Sequence, residues 1–279
     1  MRTGVPQGSV LGPLLFLLYS ADVPLIAACN GLGIHCYADD GQLYFHGKAG
    51  ESANITTRIT NCIEEIDGWM SSNRLKLNSE KTQFIWIGTS QQLNKVPVNA
   101  INIGSSSVPI NTTVNNLGVI FDPQLAMKAH VKKVCGVSFY QLRQLRTVRK
   151  SLSMEGCKTL VHAFIASRVD YCNSILCGVG VTQLGFLQSV LRSAARLVME
   201  RRKFDSISDD MRDVLHWLPI NQRIEFKICT YVFKCLHGTA PPYLCEMITP
   251  VAAKLKVLVL KVDVLPFLVR HCGTICQPS

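Results

Sequence analysis

Gly4-Val5-Pro6-Gln7-Gly8-Ser9-Val10-Leu11-Gly12-Pro13 and, further along, Tyr37-Ala38-Asp39-Asp40-Gly41 are the stretches on which the fold of this 279-residue chain turns. The second lies between two short apolar runs, 33–37 and 42–45, and Asp39-Asp40-Gly41 is a sequence that lets a chain reverse tightly. The pattern predicts a β-hairpin with both carboxylates at its tip. The first stretch sets Pro6-Gln7-Gly8 directly before an apolar run, 9–19, that reads as a buried helix. A glycine at such a start lets backbone come close to a substrate, and the free amides of a first helical turn can face an anion or a base. Gly12, Pro13, Asp22 and Pro24 interrupt the apolar run. It is therefore too short to span a bilayer and only imitates a secretory signal, so no membrane partner is expected.

Downstream of the hairpin, Ile55, Ile59, Cys62, Ile63, Ile66, Trp69 and Met70 recur at three- and four-residue steps. That spacing predicts an amphipathic helix over 52–73, ended by Asn73. Short β-prone runs follow at 84–87, 100–103, 108–110 and 117–121, separated by Gly, Ser, Asn and Pro. Past Pro123 the periodicity becomes helical, at 126–150, 154–168, 181–201 and 221–237, the last closed by Gly238 and Pro241-Pro242. The expected class is α+β: an antiparallel sheet with helices over 1–124, an all-helical region over 125–250, and a divergent tail over 251–279.

With 48% hydrophobic residues the chain can bury a core, so disorder is not expected. Lys+Arg 29 against Asp+Glu 19 leaves a charge of +10, a surplus that favours a polyanionic partner such as nucleic acid. The helix expected at 126–150 sharpens this. Lys128, Lys132, Arg143, Arg146 and Lys150 fall on one side, with Val131, Val134, Val137, Tyr140, Leu145 and Val148 roughly opposite, so one face can pack while the other meets phosphate. A merely solvated basic face is the alternative. The 12 cysteines show no repeating frame, which fits reduced thiols in an intracellular protein, cytoplasmic or nuclear, with no disulfide partner. Cys157, His162, Cys172 and Cys177 lack the close pairs of a structural zinc site.

In their order and separation, the Pro6-Gln7-Gly8 segment, Tyr37-Ala38-Asp39-Asp40, Trp69, Asn73-Arg74-Leu75-Lys76-Leu77-Asn78, Lys81-Thr82 and Leu117-Gly118-Val119 resemble successive motifs of reverse transcriptases. The likeness is to the LINE-type, jockey-like enzymes of non-LTR retrotransposons and extends to about residue 250. Arg168-Val169-Asp170-Tyr171-Cys172 and His216-Trp217-Leu218-Pro219 with Gln222-Arg223 fit that group better than a group II intron maturase or a telomerase-like enzyme. The resemblance implies an RNA-directed DNA polymerase: a partial palm over 1–124, then a helical thumb. It also implies an RNA template, a DNA primer and dNTP as partners, and two Mg²⁺ ions as cofactors. Nucleotidyl transfer is an in-line displacement at phosphorus assisted by two divalent metals, and Mg²⁺ takes hard oxygen ligands.

By the same likeness Asp39 and Asp40 are catalytic metal ligands, and Lys81 lies near the triphosphate. Pro6, Gln7, Gly8 and Tyr37 line the nucleotide and template pocket, and Leu117-Gly118-Val119 is primer-grip-like. Lys128, Lys132, Arg143, Arg146 and Lys150 follow the nucleic-acid backbone. The family's palm also needs an aspartate from an upstream strand, and its fingers lie further upstream, so this polypeptide is expected to be inactive alone. A non-enzymatic nucleic-acid-binding remnant is the alternative. A chain that never folds is another, since a palm without its central strands exposes sheet edges. At the other end, the codons of 271–278, read from the third base of the histidine codon, permit Leu-Trp-Asn-Asn-Leu-Pro. Related reading frames continue towards such a segment, so the tail is expected to follow a frameshift.

Overall fold

The computed structural model describes residues 8–104, 106–251 and 259–262. These form a mixed, α+β arrangement of helices and small two-stranded sheets, in two compact units, Met1–Val114 and Asn115–Ser279.

In the first unit, α1 (Gly12–Tyr19) and α2 (Val23–Cys29) each carry a proline in the first turn, where its missing N–H has no helical partner to lose. There follow the antiparallel hairpin of β1 (Gly33–Tyr37) and β2 (Asp40–Tyr44), α3 (Ser52–Ser72), the single turn α4 (Ser90–Leu93), and a second hairpin of β3 (Ala100–Ile103) and β4 (Ser106–Pro109). Helix α3 organises the unit because its apolar positions form two adjoining stripes. Cys62 and Ile66 pack with Val23, Ala27 and Leu32 and with Ile34, Leu43 and Phe45 of the first hairpin region. Ile63 packs with Ile103 and Val108 of the second hairpin. One helix thus anchors both hairpins. It stops at Asn73, whose side-chain amide donates to the Trp69 carbonyl at 2.9 Å, and Arg74 then turns left-handed with φ 58°.

Two expectations need correction here. The helix at 9–19 is not buried: α1 has no buried residue, and Val10 is 89% exposed. A helix that is apolar all round needs cover all round, and α1 is tied down mainly at its end. There Tyr19 lies against Trp69, with ring centroids 6.3 Å apart, and its hydroxyl donates to the Asn73 carbonyl. By length and composition Gly12–Cys29 would suffice to cross a membrane, but the chain bends between α1 and α2 into helices of eight and seven residues. The run 84–87 forms no strand either; Phe84 makes a lone parallel bridge to Ile110, since only one residue finds a partner edge.

At the junction stand β5 (Val114–Asn116) and β6 (Val119–Phe121), which pair with each other. The second unit continues through α5 (Lys128–Val148), α6 (Met154–Val161), α7 (Ser167–Asp170), α8 (Val181–Val198), α9 (Ile220–Leu236) and α10 (Pro242–Glu246), and ends in the strands β7 (Ile248–Val251) and β8 (Val259–Val262). A π-helical stretch, His162–Ala166, joins α6 to α7; it is the mark of one extra residue taken up inside a helix. Val131, Leu142 and Leu145 of α5 share one core with Leu187, Leu191 and Ala194 of α8, with Trp217, and with Ile220 and Ile224 of α9.

The compact units meet at 114–115, and β6 is fastened to α5. The Asp122 carboxylate accepts backbone N–H bonds from Gln124 (3.2 Å), Ala126 (2.8 Å) and Met127 (2.7 Å), satisfying donors at the helix start. His130 Nδ1 accepts from the Ile120 N–H at 3.4 Å, and Val119 is buried in the helical core. At the far end of α5, the Arg149 guanidinium donates to the carbonyls of Leu152, Leu197 and Val198, each at 2.9 Å, and pairs with Glu200 at 2.8 Å. The last turn of α8 is closed in this way. The ten described cysteines are free thiols.

Candidate functional site

In the first hairpin Tyr37 pairs with Asp40, so the two turn residues are Ala38 and Asp39, one position earlier than Asp39-Asp40-Gly41 suggests. Ala38 sits at φ 52°, a left-handed conformation that costs an ordinary residue about 1–2 kcal/mol. Strand alternation turns Ile34 and Leu43 towards the core and leaves His35, Tyr37, Asp40, Gln42 and Tyr44 on the opposite face. Tyr37 is 70% exposed there, and His35 stacks on Tyr44 with centroids 5.0 Å apart. The Tyr44 ring also covers Gly33, where a Cβ would come within 2.2 Å of the ring. A larger residue there would have to displace the Tyr44 ring, which is exposed. Asp39 and Asp40 are exposed, and among the described residues neither takes part in an ion pair or a side-chain hydrogen bond.

Pro6 and Gln7 lie outside the described residues. Gly8 has φ 88° and leads into the start of α1, where the Ser9 hydroxyl accepts from the Gly12 N–H at 3.1 Å. Lys81 stands exposed on a turn after α3, its backbone N–H shared between the Asn78 carbonyl and side chain, both at 3.2 Å. Among the described residues no hydrogen bond or ion pair joins Gly8 or Lys81 to the hairpin tip. The structure thus brings Tyr37, Asp39 and Asp40 together and leaves Lys81 on a separate turn.

Leu117 and Gly118 are not strand residues. With φ 46° and 86° they form the two-residue turn between β5 and β6, and only Val119 enters a strand. Two successive positive φ values are the signature of a type I′ turn, which ordinarily takes Asn-Gly. Leu117 is 42% exposed, while Val119 is buried. The Tyr171 hydroxyl donates to the Leu117 carbonyl at 2.6 Å, and the Tyr171 ring faces Gly118.

On α5, Lys128, Lys132, Arg143 and Arg146 are exposed, as is Lys150 in the turn beyond. None of the five is in an ion pair among the described residues. Phe139 is exposed on the same side. The packed face differs from the expected one: His130, Val131, Cys135, Ser138, Leu142 and Leu145 are buried, whereas Tyr140 and Val148 face solvent. A helical face advances about 100° per residue, so Tyr140 turns away from this set, whereas Val148 shares the bearing of His130 but is exposed as the last residue of α5. Burial pushes the Cys135 thiol up to about 11, and burial together with Lys133 holds His130 below its ordinary value.

Sequence reasoning missed several supports. Asp170 accepts from Arg223 at 2.6 Å, and Arg223 also donates to the Leu218 carbonyl at 2.8 Å. Trp217 meets His162 edge-on at 5.5 Å, and burial, then Arg223 and Lys158, lower the His162 pKa against the opposing pull of Asp170. Asp122-Pro123 ahead of a helical pattern was the readable signal for the loop that leads into α5; the partners of Tyr171 and Arg223 leave no local mark. Among the described residues no group of three or more His, Cys, Asp or Glu side chains is assembled to hold a metal.

Residues 1–121 match the reverse transcriptase (RNA-dependent DNA polymerase) family. A probable RNA-directed DNA polymerase from transposon BS of Drosophila melanogaster is 30% identical over 172 residues, 58% of this chain and 18% of that protein. A second, from transposon X-element of the same species, is 26% identical, over 71% of this chain and 22% of that protein. The RNA-directed DNA polymerase from mobile element jockey of Drosophila funebris is 24% identical, over 61% of this chain and 19% of its own length. The chain spans about a fifth of the length of the curated relatives it matches. No solved structure matches it.

Proposed function

We propose, from the match of residues 1–121 to the reverse transcriptase family and the likeness to polymerases of Drosophila mobile elements, that the chain is the part of a non-LTR, jockey-like retrotransposon reverse transcriptase that carries the metal-binding hairpin and a duplex-tracking helix. In this reading 1–124 is a partial palm, 125–250 a thumb and the region following it, and 251–279 a tail outside the shared pattern. The observation that carries it is the hairpin tip: two exposed carboxylates that pair with no cation among the described residues, on a strained turn whose base is locked into the core of α2 and α3.

Asp39 and Asp40 fit Mg²⁺ as hard oxygen donors, because this ion is commonly held by one or two carboxylates together with substrate phosphates. When bound there, it supplies charge neutralisation for the transferring phosphoryl group. Tyr37, on the same face as Asp40, together with Pro6, Gln7 and Gly8 lines the pocket for dNTP and template. The Lys81 ammonium stabilises or protonates the leaving pyrophosphate. Leu117-Gly118-Val119 supports the primer end. Lys128, Lys132, Arg143, Arg146 and Lys150 meet the phosphates of an RNA template and DNA primer duplex. Such substrates imply an intracellular location, cytoplasmic or nuclear.

In this reading the family's palm adds a further aspartate to Asp39 and Asp40 to complete the two-metal site, and the chain is inactive by itself. Incubation with a primed RNA template, Mg²⁺ and dNTP should give no extension; template-dependent extension that Asp39→Ala abolishes would overturn the inactivity. A second reading, a nucleic-acid-binding remnant, draws on the unpaired cations of α5. Salt-sensitive duplex binding that survives Asp39→Ala, with no extension under any condition, would favour it.

A further inference from the structure

No role has so far attached to Tyr171, whose side chain meets the turn at Leu117-Gly118, or to its neighbour Asp170 and the partner of Asp170, Arg223. The Tyr171 hydroxyl reaches across 54 positions of sequence to the Leu117 carbonyl at 2.6 Å, slightly shorter than an ordinary hydroxyl bond. A Cβ on Gly118 would lie 3.7 Å from the Tyr171 ring, so the ring covers the turn. From the other side the next residue, Val119, is sunk in the helical core. Tyr171 is fixed in turn by its neighbours. Val169 is buried, and Asp170 accepts from Arg223 at 2.6 Å and from Asn173 at 3.4 Å. Arg223 also grips the Leu218 carbonyl, within the segment His216-Trp217-Leu218-Pro219.

Leu117 is the anomaly. It is an apolar residue, 42% exposed, held left-handed at a turn position that asparagine would fill with less strain. Strain kept at an exposed position and held by an external hydrogen bond is characteristic of a site that must present itself in one fixed geometry. We infer that Tyr171 is a positioning residue that fixes the Leu117-Gly118 turn for the 3′ end of a nucleic-acid primer, with the Arg223–Asp170 pair as its anchor. This rests on the reading of Leu117-Gly118-Val119 as a primer support.

The test uses the full chain and an RNA–DNA primer–template duplex bearing 4-thiothymidine at the primer 3′ end. Affinity is read by fluorescence anisotropy, and the zero-length photocrosslink is mapped by peptide mass spectrometry. Wild type should crosslink within 114–121. Tyr171→Phe removes one neutral hydrogen bond and should cut that crosslink about three- to tenfold. The melting temperature should stay unchanged and the affinity within about twofold, because backbone phosphate contacts carry most of the binding. Leu117→Asn, placed in the Tyr171→Phe background, should restore the crosslink because asparagine holds the turn unaided. A Tyr171→Phe crosslink equal to wild type overturns the inference and leaves the primer-support reading standing. A wild-type crosslink that lands elsewhere removes that reading and the inference with it. A Tyr171→Phe chain that loses melting temperature and affinity together, without rescue by Leu117→Asn, makes Tyr171 a residue of the fold and overturns the inference as well.

Discussion

Neutralising two cations of α5, Arg143→Gln with Arg146→Gln, should change how duplex binding responds to salt, and the size of the change follows from the helix. From Lys128 to Arg146 the exposed cations extend along about 27 Å of axis at 1.5 Å per residue. Duplex carries a phosphate charge about every 1.7 Å, so the five cations, Lys150 included, can each find one. At about −0.9 per neutralised phosphate, the slope of log affinity against log salt should be about −4.5, and raising salt from 50 to 200 mM should weaken binding by about 500-fold. With three cations left, the slope should be about −2.7 and the same salt step should weaken binding by only about 40-fold. Both arginines are exposed and make no ion pair among the described residues, so the fold should lose no more than about 0.5 kcal/mol. The assay is anisotropy of a labelled RNA–DNA duplex at four salt concentrations. Arg202→Gln with Lys203→Gln serves as a control, exposed but remote in sequence from α5. A double-arginine slope equal to wild type, or a control that shifts it as much, would refute the assignment of this face to phosphate.

Asp122→Ala should destabilise the helical unit by about 2 kcal/mol, since three backbone donors lose a charged acceptor at once. In calorimetry that is a fall of about 4–8 °C in Tm for a unit of this size; an unchanged Tm would mean that water replaces the carboxylate without loss. Stability should also decline as pH drops below about 6.5, because burial and Lys133 lower the His130 pKa in the fold, so the unfolded chain takes up a proton more readily. A depressed histidine contributes stability above its unfolded pKa and loses it on acidification, so urea midpoints at pH 7.5 should exceed those at pH 5.5. The difference should shrink in His130→Gln, and a midpoint that rises on acidification would contradict the assignment.

How much of this was legible in the sequence differs from element to element. Helix α3 was readable to within a residue because its stripe of Ile55, Cys62, Ile63 and Ile66 and its stop at Asn73 are local signals. The hairpin around Asp39 and Asp40 was readable too, but its register was not. The sequence favours Asp-Gly in the turn, whereas Ile34 and Leu43 must face each other over the core, and that pairing moves the reversal to Ala38-Asp39. Leu117 read as a strand residue because it is apolar and β-prone in context; only the distant Tyr171 hydroxyl and the buried Val119 make it a turn. The apolar run at 9–19 read as buried on composition alone, and composition does not say what lies beside a helix. Arg149 shows the same limit in the other direction. It sits next to Lys150 among the cations, yet it caps α8 through Leu197 and Val198.

The π-helical stretch His162–Ala166 has a consequence for how α7 is aimed. One surplus residue in a helix rotates everything after it by about 100° relative to a regular continuation. Val169 reaches the core and Tyr171 reaches the 117–118 reversal with that rotation included. Deleting Ala163 would let the stretch relax to an ordinary helix at little local cost, but it would swing the phenol away from its carbonyl and point Val169 into water. A single inserted residue thus sets the bearing of one end of the molecule's helical half.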